Sequence, residues 1–162
     1  MDVRYINPFI TSVQNVFKTS LATDVVISKP LIKAVDEEFA DVSAVLGLSG
    51  DATGCVVLSL PMNTAVKVAG KFTGLEMNSQ NDRFSVALSE LANMVAGQAK
   101  PQLNDLNMTI SIPTVIVGKE QVVSQAKLAP RLALPCDSML GRFCVDVVML
   151  TARKSMPVSA DA

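Results

Sequence analysis

RFSVALSELANMVAGQAK, residues 83–100, carries its apolar side chains at helical spacing. Phe84, Ala87, Leu88, Leu91, Met94 and Val95 fall on one stripe, which predicts an amphipathic helix with that stripe turned toward a core. Glu90 and Asn93 stand three residues apart, so they are neighbours on one side of this helix, away from the stripe's centre. A solvated helix face ordinarily carries Lys, Glu, Arg and Gln. Here the two polar side chains are set among Val86, Ser89, Ala92, Ala96 and Gly97. One carboxylate and one carboxamide on an otherwise small, uncharged surface mark a face against which another macromolecule presses.

The remaining residues read as support for that helix. With 162 residues, 49% of them hydrophobic, the chain is one globular domain with a real core. A net charge of -1 and no basic stripe argue against nucleic acid. The apolar runs are strand-sized, which argues against a membrane span, and MDVRYINPF lacks the apolar segment of a signal peptide. Cys55, Cys136 and Cys144 are odd in number and set in apolar contexts, as expected of reduced thiols in the cytoplasm. Histidine is absent, which removes His-based triads, His metal sites and the commonest general base. Any chemistry must use carboxylates, amides, hydroxyls or a partner's groups.

Outward from the central helix, Asn7-Pro8 predicts a helix start, with a helix from Pro8 to Ser20 burying Phe9, Ile10, Val13, Val16 and Phe17. Thr23 to Val35, interrupted by Pro30, suits an edge or bulged strand, followed by an acidic turn at Asp36 to Glu38. Val42 to Ser49 and Cys55 to Leu60 form a hairpin across Gly50 to Gly54. Pro61 opens a helix to Phe72 with Gly74 as its stop, and Pro101 is expected to kink or end the long helix within a turn or so. Met108 to Val117 is a strand with a proline inside it, and Lys127 to Leu134 is expected to be another. Arg142 to Thr151 is a buried strand, paired across Pro135 to Gly141. A single domain at 1–154 leaves 155–162 as a short tail.

Ile10 to Ala22 aligns with Leu88 to Lys100, which sets Ser12 on Glu90 and Asn15 on Asn93. VISKPLI follows one helix and TISIPTVI the other, and each half ends in a hairpin. The pattern is helix–strand–hairpin twice, with an extra helix between. Any two amphipathic helices followed by strands share some of it without duplication. The expected fold is α+β: pseudo-duplicated units in a mixed or antiparallel sheet, with the long helices packed on one face.

SELANMVAGQAK followed by ISIPTVIVGKE resembles the CheX branch of the CheC/CheX/FliY family of chemotaxis phosphatases. MDVRYINPFITSV and VLGLSGDATGCVVLSLP resemble it too, so the likeness runs over most of the chain. The resemblance implies a CheC-like fold, a homodimer and a Glu-x-x-Asn motif, here Glu90 and Asn93. It implies hydrolysis of the aspartyl phosphate of a CheY-type response regulator. Ser12 and Asn15 look like a degenerate first copy of the motif, which favours CheX. A carboxamide offers a donor and an acceptor without adding charge beside a phosphoryl group, which suits Asn93 to holding the attacking water. The family likeness implies that Glu90 grips the regulator's lysine. Val86, Ser89, Ala92, Ala96 and Gly97 would form the docking surface. No cofactor of its own is required, since the Mg²⁺ is expected on the phosphorylated partner. Family members often carry Asp or Ser four residues before the motif Glu, and Val86 stands there instead. A catalytically silent adaptor that binds a regulator or a receptor-array component is the alternative.

Overall fold

The computed structural model describes residues 3–34, 37, 39–118 and 130–151. Among these residues three α-helices, α1 (Val3–Leu21), α2 (Met62–Thr73) and α3 (Arg83–Ala99), lie with eight strands. The strands are β1 (Val25–Ile27), β2 (Leu31–Lys33), β3 (Val42–Gly50), β4 (Ala52–Leu60), β5 (Met108–Ile110), β6 (Thr114–Val117), β7 (Arg131–Ser138) and β8 (Gly141–Thr151). They form one sheet ordered β1-β7-β8-β4-β3-β5, with β2 also on β7 and β6 also on β3. Every pairing is antiparallel, which resolves the mixed-or-antiparallel expectation.

Alternation along the strands sorts the two faces. Val42, Ala44, Leu46 and Leu48 of β3, with Val145, Val147 and Met149 of β8, join the helices in the main core. Phe17 of α1 stacks on Phe143 of β8 at 4.9 Å between ring centroids. The opposite face holds a smaller cluster of Phe39, Cys55, Val57 and Val148.

The sheet bears out the duplicated pattern. Each half supplies a helix, a split edge strand and a hairpin, and each split strand pairs with the first hairpin strand of the other half. The breaks match in detail. Ser28 N–H donates to the Pro135 carbonyl at 2.9 Å, and Ser111 N–H donates to the Gly47 carbonyl at 2.9 Å. Pro30 and Pro113 fall two residues beyond, so the interrupted strands are a property of both halves.

Three expectations need correction. The first helix begins before Pro8, which lies inside α1. Burial of Tyr5 and Ile6 extends the stripe of Phe9, Val13, Val16 and Phe17, and this packing outweighs the one helical hydrogen bond that proline gives up. Met108 to Val117 is two short strands, because the chain leaves the ladder around Pro113. The last hairpin turns at Met139 and Leu140, so β7 runs through Pro135 and does not stop before it. Pro135 faces the gap between β1 and β2, where a missing N–H costs no ladder bond. Of the strand expected at Lys127 to Leu134, residues 131–134 lie in β7, whereas 127–129, most of the acidic turn and the 155–162 tail lie outside the described residues.

The β3–β4 ladder ends at Leu48 and Gly54, so the connection has the five residues expected, one position earlier, with Asp51 at its tip. Gly54 has φ +149, and a Cβ there would run into the Val148 carbonyl of the neighbouring strand. Gly54→Ala is expected to lower unfolding free energy by roughly 2–4 kcal/mol through backbone strain and collision, as measured by denaturant unfolding.

Candidate functional site

The start of α3 is set by Asn81, whose side-chain oxygen accepts the Arg83 N–H at 2.9 Å while its carbonyl accepts the Phe84 N–H at 3.0 Å. At the other end the helix tightens into a 3-10 segment, Lys100–Leu106, because Pro101 cannot continue the α-helical ladder. Between these ends α3 touches α1, α2, β3 and β6, so it is enclosed on its back and both flanks. Phe84, Ala87, Leu88, Leu91, Ala92, Val95, Ala96 and Ala99 are all buried.

Exposed along α3 is a ladder of Arg83, Val86, Glu90, Asn93 and Gly97, spaced three and four residues apart, with Met94 at its rim and Ser85 apart from it near the helix start. Glu90 and Asn93 are exposed near its middle, with Cβ atoms of such a pair about 5–6 Å apart. Neither side chain makes a hydrogen bond or ion pair among the described residues. Val86 is 54% exposed and Gly97 has open space around it. Ser89 is half-buried at the margin.

Two residues expected on the docking face are not there. Ala92 and Ala96 belong to the core, at 0% and 7% exposure. Enclosure on both flanks widens the buried arc past the large apolar side chains, and only small residues fit at its edge. Met94, expected in the buried stripe, instead lies at the rim at 37% exposure, where Ser20 Oγ approaches its sulfur at 3.9 Å. Arg83, absent from the expected face, stands on it. Its signal was the three-four spacing continued back from Glu90.

The degenerate first motif is also displaced. Ser12 is buried, its hydroxyl donating to the Pro8 carbonyl at 2.6 Å, so it cannot match exposed Glu90. Asn15 is exposed and donates to Gln98 Oε1 at 2.7 Å, tying α1 to α3. Burial superposes Tyr5 on Phe84, Phe9 on Leu88, Val13 on Ala92 and Val16 on Val95, one residue out of step with the alignment by residue type. In that frame Thr11 and Gln14 correspond to Glu90 and Asn93, and Gln14 Nε2 is bound to the Val25 carbonyl at 3.3 Å. The first copy therefore presents no carboxylate.

Other chemistry is poorly supplied. Burial pushes the Cys136 and Cys144 thiols up to about 12 and Cys55 up to about 11, so none is a thiolate nucleophile near neutrality. All three are free, as expected of reduced thiols. No cluster of His, Cys, Asp or Glu able to hold a metal occurs among the described residues. Two cavities of about 500 and 530 Å³ open at strand ends, around Lys33, Ser59 and Cys144 and around Ser28 and Pro135, away from α3. Among the described residues no helix is long and apolar enough to cross a membrane.

The sheet's far face holds a feature not anticipated from the sequence. Arg131 of β7 and Asp146 of β8 are fully buried and paired, with Nε–Oδ2 at 2.9 Å and Nη2–Oδ2 at 2.6 Å. Arg131 also donates to the Glu37 carbonyl and lies 3.7 Å from the centroid of the Phe39 ring. The signal was Asp146 itself, the one carboxylate within RFCVDVVMLT.

Comparison with known proteins places this arrangement. The model of the chemotaxis phosphatase CheX family matches residues 42–137, a segment that contains all of α3. The chain is 30% identical over 123 residues to the CheY-P phosphatase CheX of Thermotoga maritima, covering 74% of this chain and 79% of that protein. A CheC-like superfamily protein from Shewanella sp. PV-4 superposes with a TM-score of 0.81 at 26% identity, covering 93% of this chain and 99% of that one. The CheX–CheY–BeF3–Mg²⁺ complex from Borrelia burgdorferi gives a TM-score of 0.75 at 25% identity, covering 90% and 97%. With its CheC-like α+β fold and a match running from β3 into β7, this chain belongs to the chemotaxis phosphatase CheX family.

Proposed function

We propose that this chain hydrolyses the aspartyl phosphate of a CheY-type response regulator, docking through the exposed ladder of α3. The observation that carries this is the ladder itself. Glu90 and Asn93 are exposed side by side on a helix largely buried on its other faces, with Val86 and Gly97 beside them along the ladder. Family membership and the complex of the Borrelia burgdorferi relative with CheY support the choice of partner.

In the reaction, a water oxygen bonds to phosphorus as the P–O bond to the regulator's aspartate breaks, releasing inorganic phosphate and a carboxylate. Catalysis of such a step is mainly positioning and charge stabilisation. Asn93 accepts from and donates to the attacking water and the phosphoryl oxygens, holding the water in line. Glu90, nearly one turn earlier, engages a cation beside the regulator's phosphorylation pocket, which the family likeness implies is its lysine. Mg²⁺ is supplied with the phosphorylated partner. A cytoplasmic homodimer is carried over from the same likeness.

Gly97 separates docking from folding. It lies in a helix interior, where glycine costs about 0.5–1 kcal/mol relative to alanine, and nothing within this molecule occupies the space of a Cβ. Gly97→Leu is expected to unfold at an equal or higher temperature while reducing kcat/KM for the phosphorylated regulator at least about tenfold, because bulk at this position holds the partner away. Unchanged kcat/KM would show that the partner does not approach this end of α3.

Val86 favours a second reading, a silent adaptor, since an apolar side chain stands where family members often carry a polar one. Phosphate release from the host's CheY-type regulators, with and without the chain, separates the two. An adaptor binds and leaves the rate unchanged.

A further inference from the structure

We propose that Arg83 is a separate docking contact for the phosphorylated receiver domain, its guanidinium meeting a carboxylate on the receiver's face, an inference that rests on the reading of α3 as the regulator-docking helix. Arg83 is exposed and heads the ladder that continues through Val86, Glu90 and Asn93. Its side chain makes no hydrogen bond or ion pair among the described residues. Arg83 and Glu90 are the two charged side chains of α3, and both stand on this ladder.

Nothing in helix stability accounts for an arginine here. The first turn is the positive end of the helix macrodipole, which favours anions and disfavours cations. That turn contains no acidic residue, and Asp82 makes no side-chain cap bond that would offset the effect. The position is therefore unfavourable for the isolated molecule and leaves the cation available to a partner.

The partner's chemistry matches. A receiver that binds Mg²⁺ beside its phosphoryl group holds that ion with carboxylates, so the surface around its pocket is acidic. At about 1.5 Å of rise per residue, Arg83 lies about 10 Å along the helix from Glu90. An interface of ordinary size spans about 20–30 residues a side, so a receiver seated on Glu90 and Asn93 also covers Arg83. Val86 lies between them and supplies apolar contact.

The test compares the full chain with its Arg83→Glu variant. Three quantities are read: the thermal midpoint, the Kd for a beryllofluoride-activated CheY-type regulator at low and high salt, and kcat and KM for phosphate release. The variant is expected to unfold about 2 °C higher, since a carboxylate suits the helix start. Its Kd and KM rise on the order of tenfold at low salt and converge on wild type as salt increases, with kcat within about twofold. Stability and docking thus move in opposite directions, which a merely structural arginine would not produce. An active wild type with an unaltered variant KM, or a variant that loses stability and binding together, overturns the role of Arg83. A folded wild type that neither binds nor dephosphorylates any regulator overturns the phosphatase reading itself, and this contact with it.

Discussion

Asn93→Ala is expected to lose at least about a hundredfold of the acceleration of aspartyl-phosphate hydrolysis while binding the activated regulator within about threefold of wild type. The carboxamide is exposed and makes no hydrogen bond or ion pair among the described residues, so its removal leaves the core untouched. The loss falls on kcat, because orienting water matters in the transition state and little in docking. Asn93→Asp should fail as well, since a carboxylate beside a phosphoryl group adds repulsion and gives up a donor. Glu90→Ala behaves differently. Losing a charge that grips the partner raises KM and Kd first, on the order of tenfold or more. Single-turnover phosphate release and equilibrium titration separate the two patterns, and equal effects of both substitutions on KM would remove the distinction between gripping and water positioning.

The second large effect lies on the far side of the sheet. Asp146→Ala leaves Arg131 fully buried without its carboxylate, and breaking such a pair costs about 3–5 kcal/mol. That is a large share of the roughly 5–15 kcal/mol that stabilises a typical domain. Thermal unfolding is expected about 10 °C or more below wild type. The loss would also release the hold of Arg131 on the Glu37 carbonyl and the Phe39 ring. Replacing both partners, Arg131→Met with Asp146→Leu, should recover most of the stability, because two apolar groups leave no stranded charge. A single substitution that shifts the midpoint by less than about 2 °C would mean that water reaches the pair. Regulator binding by the folded variant should be unaltered, since Asp146 faces away from the helices.

The elements legible in the sequence were those whose signal is local. The stripe of α3, the glycines of the β3–β4 hairpin and the Pro61 to Gly74 limits of α2 are all written within a few residues. Gly74 takes up the left-handed conformation at φ 73 that a helix stop requires. Misreadings arose where distant parts decide. Pro8 and Pro135 read locally as boundaries, yet tertiary packing carries a helix through one and a gap in the neighbouring edge admits the other. Ala92 and Ala96 carry no periodic signal of their own, and only the enclosure of α3 makes them interior. The repeat was visible in the strand sequences, whereas its helix frame needed burial to correct it. Arg131 and Asp146 are joined by strand register, which no local pattern encodes.

Within the candidate site, Glu90 and Asn93 were identifiable from the bareness of their surroundings and the family likeness together. Val86 and Gly97 were placed on the exposed face by helical spacing, and they stand there. Arg83 reads in the sequence as a helix-start residue, and only the burial of its neighbours on α3 sets it at the head of the ladder.

A phosphatase surface on α3 must speed the loss of aspartyl phosphate from a phosphorylated regulator. Its most direct test is the rate of aspartyl-phosphate loss from each CheY-type regulator of the host, measured with catalytic amounts of the chain. Multiple-turnover acceleration of at least one regulator, abolished by Asn93→Ala, is the expected result. Unchanged rates with every regulator, in the presence of folded protein, would contradict it.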